Sequence, residues 1–229
     1  MAAIFEAILD GRLSGVFPSL VIASKPDIGA ITKARATGLA SDRIVVLPPK
    51  NFSTPAEFGG RILEECKKRD VNFIGQYGWM PKTPVEVIQA FPGMMSNQHP
   101  GPLDPSISGY DFGGPGMYGA RVTAARLHFV RMVNRDFWTE ATAQRVEPEF
   151  DRGDVLKAAR VPIFPDDTVE TLQARLLPAE HRVQIDTLRD FTRGDVRPVR
   201  RSAGWRVKNR ERDILAEAKR RAIAEYPHG

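Results

Sequence analysis

The sequence is short of cysteine and of long apolar runs. Cys66 is its single cysteine, so an internal disulfide is excluded and a reducing compartment is favoured; we expect a cytoplasmic protein. No stretch approaches the roughly 18 to 20 uninterrupted apolar residues that a membrane-spanning helix needs, so we expect no membrane span. The N-terminal residues include acids but no basic segment, which argues against a secretory signal peptide.

Charge of one sign is not in large excess either. The formal net charge of +5 over 229 residues is enough to attract phosphates or other anionic ligands, but it is too small to require nucleic acid. With 42% hydrophobic and 27% charged residues, the composition is that of an ordinary globular protein and excludes an intrinsically disordered chain. The length suits one domain, or one domain with a tail.

Apolar runs alternate with amphipathic segments through the N-terminal part of the chain. The runs that predict buried strands lie at 19–24, 43–49 and 71–80, and the segments that predict helices lie at 2–11, 26–38 and 55–70. This alternation is typical of right-handed βαβ crossovers. We therefore predict an α/β fold with a mostly parallel sheet flanked by helices.

The middle of the chain begins with a segment, 91–120, that is dense in proline and glycine. Such a density is incompatible with long regular elements and predicts a functional loop. We expect 125–132 and 142–148 to pair as antiparallel strands. A turn at 151–154 and a further strand from Val155 should follow.

Two helices are predicted in the C-terminal part. Thr168 is a candidate N-cap that opens a long helix, and 209–225 is a charged, alanine-rich helix. Between 197 and 212 there are seven basic residues against one acid. We therefore divide the chain into a domain at 1–194 and a basic, helical C-terminal extension at 195–229, which we expect to be an appendage to the core.

The segment 97–100, with the sequence Asn-Gln-His-Pro, carries the most chemical information. Side chains at i and i+2 of an extended segment point to the same face, which puts the Asn97 amide beside the His99 imidazole. Such a pair suits the oxyanion of a tetrahedral intermediate in acyl transfer. A carboxylate to hold the imidazole is available in the turn with Asp151 and Asp154. Purely structural roles, in turns and in the core, stay open for all four residues.

This segment and several weaker motifs resemble the formyltransferases that use 10-formyltetrahydrofolate, above all those that formylate glycinamide ribonucleotide in purine biosynthesis. The Asn-x-His-Pro motif is matched at 97–100, and a strand and a turn of that family are echoed at 126–130 and 150–153. Shorter matches in the expected order lie at 23–25, 34–38, 161–163, 167–168 and 180–181. The resemblance covers roughly residues 2–191 and implies a Rossmann-like formyltransferase fold.

The resemblance also implies roles for individual residues. Asn97 and His99 would polarise the formyl carbonyl, and Asp151 would orient His99 and assist proton transfer from the attacking amine. The 10-formyltetrahydrofolate co-substrate would lie along Tyr77, Trp79, Met80, Glu149 and Phe150. Glu180 would lie near the sugar of the amine. No metal is implied, the partner is a small, phosphorylated amine rather than nucleic acid, and a homodimer is compatible with the family.

The opening of the family's fold has no match here. The family begins with a strand and a Gly-x-Gly-Ser-Asn loop that holds the substrate phosphate, whereas this sequence begins at about the helix that follows them. We expect either a misplaced start codon or a rebuilt phosphate site. Gly114 and Gly116 belong to a Gly-x-Gly-x-x-Gly string. We hypothesise that this loop and Arg121 bind an anionic group of the substrate.

Other functions fit the same residues. The acceptor of the formyl group would then be an amino sugar nucleotide, an aminoacyl-tRNA or water, the last giving a folate hydrolase. A different class is a non-catalytic binding protein of the same fold whose arginine-rich tail contacts RNA. Trp205 is the chief aromatic residue of that tail, so the stacking surface for bases is small.

Overall fold

The structure is a computed structural model that describes residues 1–107, 109–201 and 207–229. In these ranges the helices are α1 (Ala2–Leu9), α2 (Gly29–Ala36), α3 (Pro55–Lys67), α4 (Val85–Ala90), α5 (Ala120–Val133), α6 (Val169–Arg193) and α7 (Arg212–Glu225). The strands are β1 (Val21–Ala23), β2 (Ile44–Val46), β3 (Ile74–Gln76), β4 (Met95–His99), β5 (Trp138–Arg145) and β6 (Val155–Pro162). The predicted α/β class is confirmed.

The strands form a mixed set of pairings within the described ranges. β1 and β2 pair in parallel as one short sheet, and the second sheet has the order β3-β4-β5-β6. β3 and β4 are parallel, whereas β5 is antiparallel to both of its neighbours. The three apolar runs predicted as strands contain β1, β2 and β3, whose β-branched residues suit a pleated surface.

A cavity of about 560 Å³ lies between the two sheets. Residues of both β1 and β3 line it, together with apolar side chains of α1, α3 and α6. No pairing joins β1 to β3 in the part of the chain that the structure describes. The β3 end of the larger sheet therefore faces this cavity, while the β4–β5 centre carries the candidate site described below.

The helix boundaries follow the capping chemistry of the sequence. The Thr54 hydroxyl accepts the Glu57 backbone N–H at 3.1 Å, and Pro55 occupies the first position of α3. Thr168 opens α6 in the same way, with Thr171 reciprocating, as the sequence predicts. α6 ends at Gly194, whose φ of 67° is the left-handed conformation that glycine adopts without strain.

The strand predicted at 125–132 is wrong, because this segment lies within helix α5. The helix is buried on nearly every side, so its sequence shows neither a clear helical stripe nor a strand alternation. Arg126 is 1% exposed, and its guanidinium donates to the carbonyls of Asp136 and Trp138 at 2.7 Å each. Desolvation by this burial lowers the pKa of Arg126 to about 9. Tertiary packing, rather than local pattern, decides the conformation here.

The C-terminal helix is part of the core and not an appendage to it. Leu215, Ala218 and Ala222 of α7 are buried in the same apolar cluster as residues of α5, α6 and β5. The exposed face of α7 carries the charges that dominated the sequence pattern, for example Arg220 and Arg221, which both pair with Glu217. The three apolar residues on helical spacing, rather than the many charged ones, therefore determine where α7 packs, and they hold it against α5.

Gly153 is the position of the β5–β6 turn where a side chain is least tolerated. A Cβ atom there would overlap the backbone carbonyl of Arg145. We expect Gly153→Ala to lower the free energy of unfolding by about 3 kcal/mol, because backbone atoms cannot move away without breaking the hairpin. Urea unfolding of the variant measures this.

Gly60 supplies the matched control for that substitution. It lies inside α3, is exposed, and an added Cβ atom would meet open space. Gly60→Ala should raise the free energy of unfolding by about 0.5–1 kcal/mol, since alanine favours the helix. Equal effects of the two substitutions would contradict the packing described for the turn.

Candidate active site

β4 carries both members of the Asn-x-His pair. Asn97 and His99 are two residues apart on this strand, so their side chains leave the same face. The antiparallel register sets Gln144 of β5 opposite Asn97 and Thr142 opposite His99. Residues opposite each other on paired strands share a face, so four polar side chains meet on one side of the sheet. His99 is 2% exposed.

Asp151 is held beside His99 by two donors. Its Oδ1 accepts the side-chain amide of Gln144 at 2.6 Å, and its Oδ2 accepts the backbone N–H of Gly114 at 2.8 Å. The distance from His99 Nδ1 to Asp151 Oδ1 is 3.6 Å. Asp151 has a φ of 59°, a left-handed conformation that aspartate tolerates better than most residues. The structure thus brings the three predicted catalytic residues to one place.

The second ring nitrogen of His99 is a buried polar atom with no protein partner among the described residues. Nδ1 faces Asp151, whereas Nε2 has no hydrogen bond. A buried donor or acceptor left unpaired costs about 1–3 kcal/mol. Because Nδ1 faces Asp151, Nε2 is the ring nitrogen whose hydrogen-bonding capacity is left for a ligand.

The glycine-rich loop is organised by a carboxylate that sequence reasoning missed. Asp111 is fully buried and accepts the backbone N–H groups of Asp104 and Gly113 at 2.9 and 3.2 Å. Arg152 donates to both of its carboxylate oxygens, at 3.0 and 2.9 Å. The only sequence signal is an aspartate two residues before a Gly-Gly pair, which is ordinary turn chemistry. These contacts fix the loop in the position where the Gly114 N–H donates to Asp151.

Comparison with known proteins assigns the family. A sequence profile with the description Formyl transferase matches residues 1–188. The chain belongs to the formyl transferase family. Phosphoribosylglycinamide formyltransferase of Haemophilus influenzae is 27% identical over 195 residues, which are 84% of this chain and 83% of that protein. The chloroplastic enzyme of the same name from Arabidopsis thaliana is 30% identical over 190 residues, which are 81% of this chain.

The matches differ in how much of each relative they cover. This chain spans 59% of the length of the Arabidopsis protein and 55% of a second plant relative, from Vigna unguiculata. Among solved structures, phosphoribosylglycinamide formyltransferase from Brucella melitensis superposes with a TM-score of 0.65 at 26% identity, covering 86% of this chain and 93% of that one. Glycinamide ribonucleotide transformylase 1 from Symbiobacterium toebii gives a TM-score of 0.69 at 24% identity, covering 84% and 82%. The formyl transferase fold implied by the sequence is confirmed.

Two of the folate contacts that the formyl transferase resemblance implied lie apart from Asp151, in the wall of the cavity between the sheets. Tyr77 packs in the apolar cluster of α1 and α6, and burial raises the pKa of its phenol. Trp79 stacks on Phe58 with 6.2 Å between ring centroids. Both rings line the cavity between the sheets rather than the surface around Asp151. Met80 is 49% exposed. In the sequence, two aromatic residues after a strand are equally compatible with packing in the core and with contacting a ligand.

The other implied folate contacts lie beside Asp151. Glu149 and Phe150 line a second cavity of about 360 Å³ together with Gly114. Both residues are exposed and directly precede Asp151 in the chain. The cavity also has basic side chains in its wall, those of Lys82, Arg152 and Lys219. This cavity adjoins the turn that carries Asp151.

Glu180 lies on the α6 side of β4. It is 8% exposed, and the side chain of Gln98 hydrogen-bonds to it. Burial raises the pKa of Glu180, and the hydrogen bond from Gln98 partly opposes this. Since Gln98 points away from the face shared by Asn97 and His99, the structure does not group Glu180 with the three catalytic candidates.

Arg121 is not available to an anion, which corrects the hypothesis made from the sequence. Its guanidinium donates to the carbonyls of Gly116, Tyr226 and Pro227 at 3.0, 2.7 and 2.6 Å. It also lies over the Tyr118 ring, 4.5 Å from the centroid. Gly116 contributes one of these carbonyl acceptors. From the sequence alone, an arginine that follows a glycine-rich loop and binds an anion cannot be distinguished from one that donates hydrogen bonds to residues near the C-terminus.

The described residues contain no candidate metal site and no candidate membrane-spanning helix. The described residues contain no group of three or more histidine, cysteine, aspartate or glutamate side chains arranged to hold a metal ion. None of the described helices combines the length and apolarity that crossing a bilayer requires. Trp205, the aromatic residue of the basic tail, lies outside the described residues.

Proposed function

We propose that the protein transfers the formyl group of 10-formyltetrahydrofolate to a primary amine, and that this amine is glycinamide ribonucleotide. The observation that carries the proposal is the meeting of three groups: Asn97 and His99 share one face of β4, and Asp151 Oδ1 lies 3.6 Å from His99 Nδ1. An amide, an imidazole and a carboxylate are what acyl transfer to an amine needs around one carbon.

The three residues divide the mechanism between oxyanion stabilisation and proton transfer. The Asn97 amide and the His99 Nε2–H donate to the formyl oxygen as the amine nitrogen attacks the formyl carbon, and they stabilise the charge on the tetrahedral intermediate. Asp151 fixes His99 in that orientation and accepts the proton released by the amine. The bond from the formyl carbon to the folate nitrogen then breaks, and the proton passes to that nitrogen. Formylated amine and tetrahydrofolate leave.

The choice of acceptor rests on similarity and on charge. Phosphoribosylglycinamide formyltransferases of plants and bacteria are 26–30% identical over most of this chain. Lys82 adds positive charge to the wall of the cavity beside Asp151, which suits an anionic substrate. An amino sugar nucleotide, an aminoacyl-tRNA or water as acceptor would use the same three residues with a different second substrate.

The test is a direct assay of the purified protein. 10-Formyltetrahydrofolate is incubated with glycinamide ribonucleotide, tetrahydrofolate is followed by absorbance, and the formylated ribonucleotide is identified by mass. We expect amine-dependent turnover with one product formed per folate consumed. Folate consumption at the same rate without amine, with release of formate, would instead identify a hydrolase. RNA binding that weakens steeply with salt, together with no turnover of any acceptor, would identify a binding protein.

A further inference from the structure

Lys219 of α7 lies one peptide group away from the catalytic carboxylate. Its Nζ donates to the carbonyl of Gly113 at 2.8 Å. The N–H of the same peptide group, that of Gly114, donates to Asp151 Oδ2, also at 2.8 Å. The order is therefore ammonium, peptide carbonyl, peptide N–H, carboxylate. The α7 helix thus reaches the candidate active site through a single polarisable unit.

Both ends of this connection are rigidly supported. On one side, Leu215, Ala218 and Ala222 fix α7 in the core, so Lys219 is delivered by a helix that cannot move freely. On the other side, the N–H of Gly113 donates to the fully buried Asp111, which limits rotation of the adjoining peptide. The Gly113–Gly114 peptide is therefore fixed from both sides. Its Gly114 N–H keeps its direction toward Asp151 during a reaction without reorganising, which is what preorganisation requires.

We infer that Lys219 is a positioning residue, which acts through the Gly113–Gly114 peptide to aim and strengthen the hydrogen bond that holds Asp151. This inference rests on the proposed function. A charged donor at a carbonyl polarises the amide and makes its N–H a stronger donor, because hydrogen bonds in a chain reinforce each other. Asp151 is then held as an oriented carboxylate against His99, ready to accept the proton of the amine.

The charged groups around Lys219 shift its pKa and so predict how its contribution to the reaction depends on pH. Burial lowers the pKa of Lys219; the carboxylates of Asp111 and Asp151 oppose this shift, and Arg152 adds to it. Lys82 and Glu149 line the same cavity and bring charges of opposite sign. A lysine with a lowered pKa loses its proton at lower pH than an ordinary lysine as pH rises. The contribution of Lys219 is therefore lost as pH rises, earlier than for an ordinary lysine.

The first experiment compares Lys219→Met with Arg220→Met. Both remove a cation from α7, but Arg220 is exposed and pairs with Glu217. We expect Lys219→Met to lower kcat about tenfold, less than the loss of a direct oxyanion donor, while KM for folate and amine stays within about threefold. Arg220→Met should match the wild type. A Lys219→Met enzyme with wild-type kcat, or with a changed KM alone, would overturn the inference.

The second experiment uses Lys219→Arg, which keeps the charge and the reach to Gly113. We expect it to retain most of the wild-type kcat at neutral pH and to shift the alkaline fall of kcat to higher pH, because arginine keeps its proton there. An unchanged alkaline limb would overturn the inference even if Lys219→Met does not fold. Absence of formyl transfer by the wild-type enzyme contradicts the proposed function itself, whereas an active wild type with unaffected variants contradicts the role of Lys219 alone.

Discussion

Replacing Asp151 by asparagine is expected to lower kcat for formyl transfer by about 10²- to 10³-fold, since the variant can neither accept the proton of the amine nor hold the His99 imidazole by charge. The fold should survive. Asparagine tolerates the left-handed backbone of this position, which has a φ of 59°. Its carbonyl can accept the Gly114 N–H, and Gln144 Oε1, which has no hydrogen bond partner among the described residues, can turn to accept its amide.

Asp154 provides the control for that substitution. It lies in the same turn, is exposed, and offers the same kind of carboxylate, so the sequence alone does not separate it from Asp151. Asp154→Asn should leave kcat within about twofold of the wild type, because no contact joins its side chain to His99. Steady-state kinetics of both variants at saturating folate and amine give the comparison. A loss in the Asp154 variant as large as in the Asp151 variant would refute the assignment.

The second large effect is expected from His99→Ala, with a fall in kcat of about 10³-fold. The substitution removes the Nε2 donor to the developing oxyanion and also the partner of Asp151, so two parts of the mechanism are lost together. KM should change little, because the donor acts mainly in the transition state. Thermal unfolding of the variant shows whether the 2% exposed site collapses or stays open.

His128→Ala is the matched histidine control. This residue lies on α5, and its Nε2 is 2.8 Å from a carboxylate oxygen of Glu225 on α7. Its removal weakens a half-buried contact between two helices and leaves the β4 face untouched. We expect wild-type kcat. Loss of activity in this variant comparable with that of His99→Ala would mean that catalysis depends on helix packing rather than on the imidazole of β4.

Local sequence chemistry was enough to predict part of the fold. The apolar runs around Ile22, Val45 and Ile74 predicted three strands, which the structure contains. The burial expected for them is not found, since Ala23 is the one buried residue among their nine. The N-cap at Thr168 predicted the start of α6. The period of two residues in a strand predicted that Asn97 and His99 share a face.

Features decided by tertiary packing could not be predicted in this way. Helix α5 is buried nearly all round and so shows no periodic stripe, which made its segment read as a strand. Arg121 follows a glycine-rich loop and Lys219 lies in a charged helix, yet Arg121 binds carbonyls near the C-terminus and Lys219 reaches the loop beside Asp151. Asp111 was missed because a buried loop carboxylate has the same local sequence as an exposed turn.

The most direct test of the account is a double-mutant cycle that combines His99→Ala with Asp151→Asn. If the imidazole and the carboxylate act on one reacting carbon, Asp151→Asn should cost less in the His99→Ala background than in the wild type, because its part in holding the imidazole is already lost, and the double variant should lose clearly less than the product of the two single losses. If the two side chains act separately, their losses should multiply to about 10⁵- to 10⁶-fold. The first result is the one that the shared site predicts, and the second would contradict it.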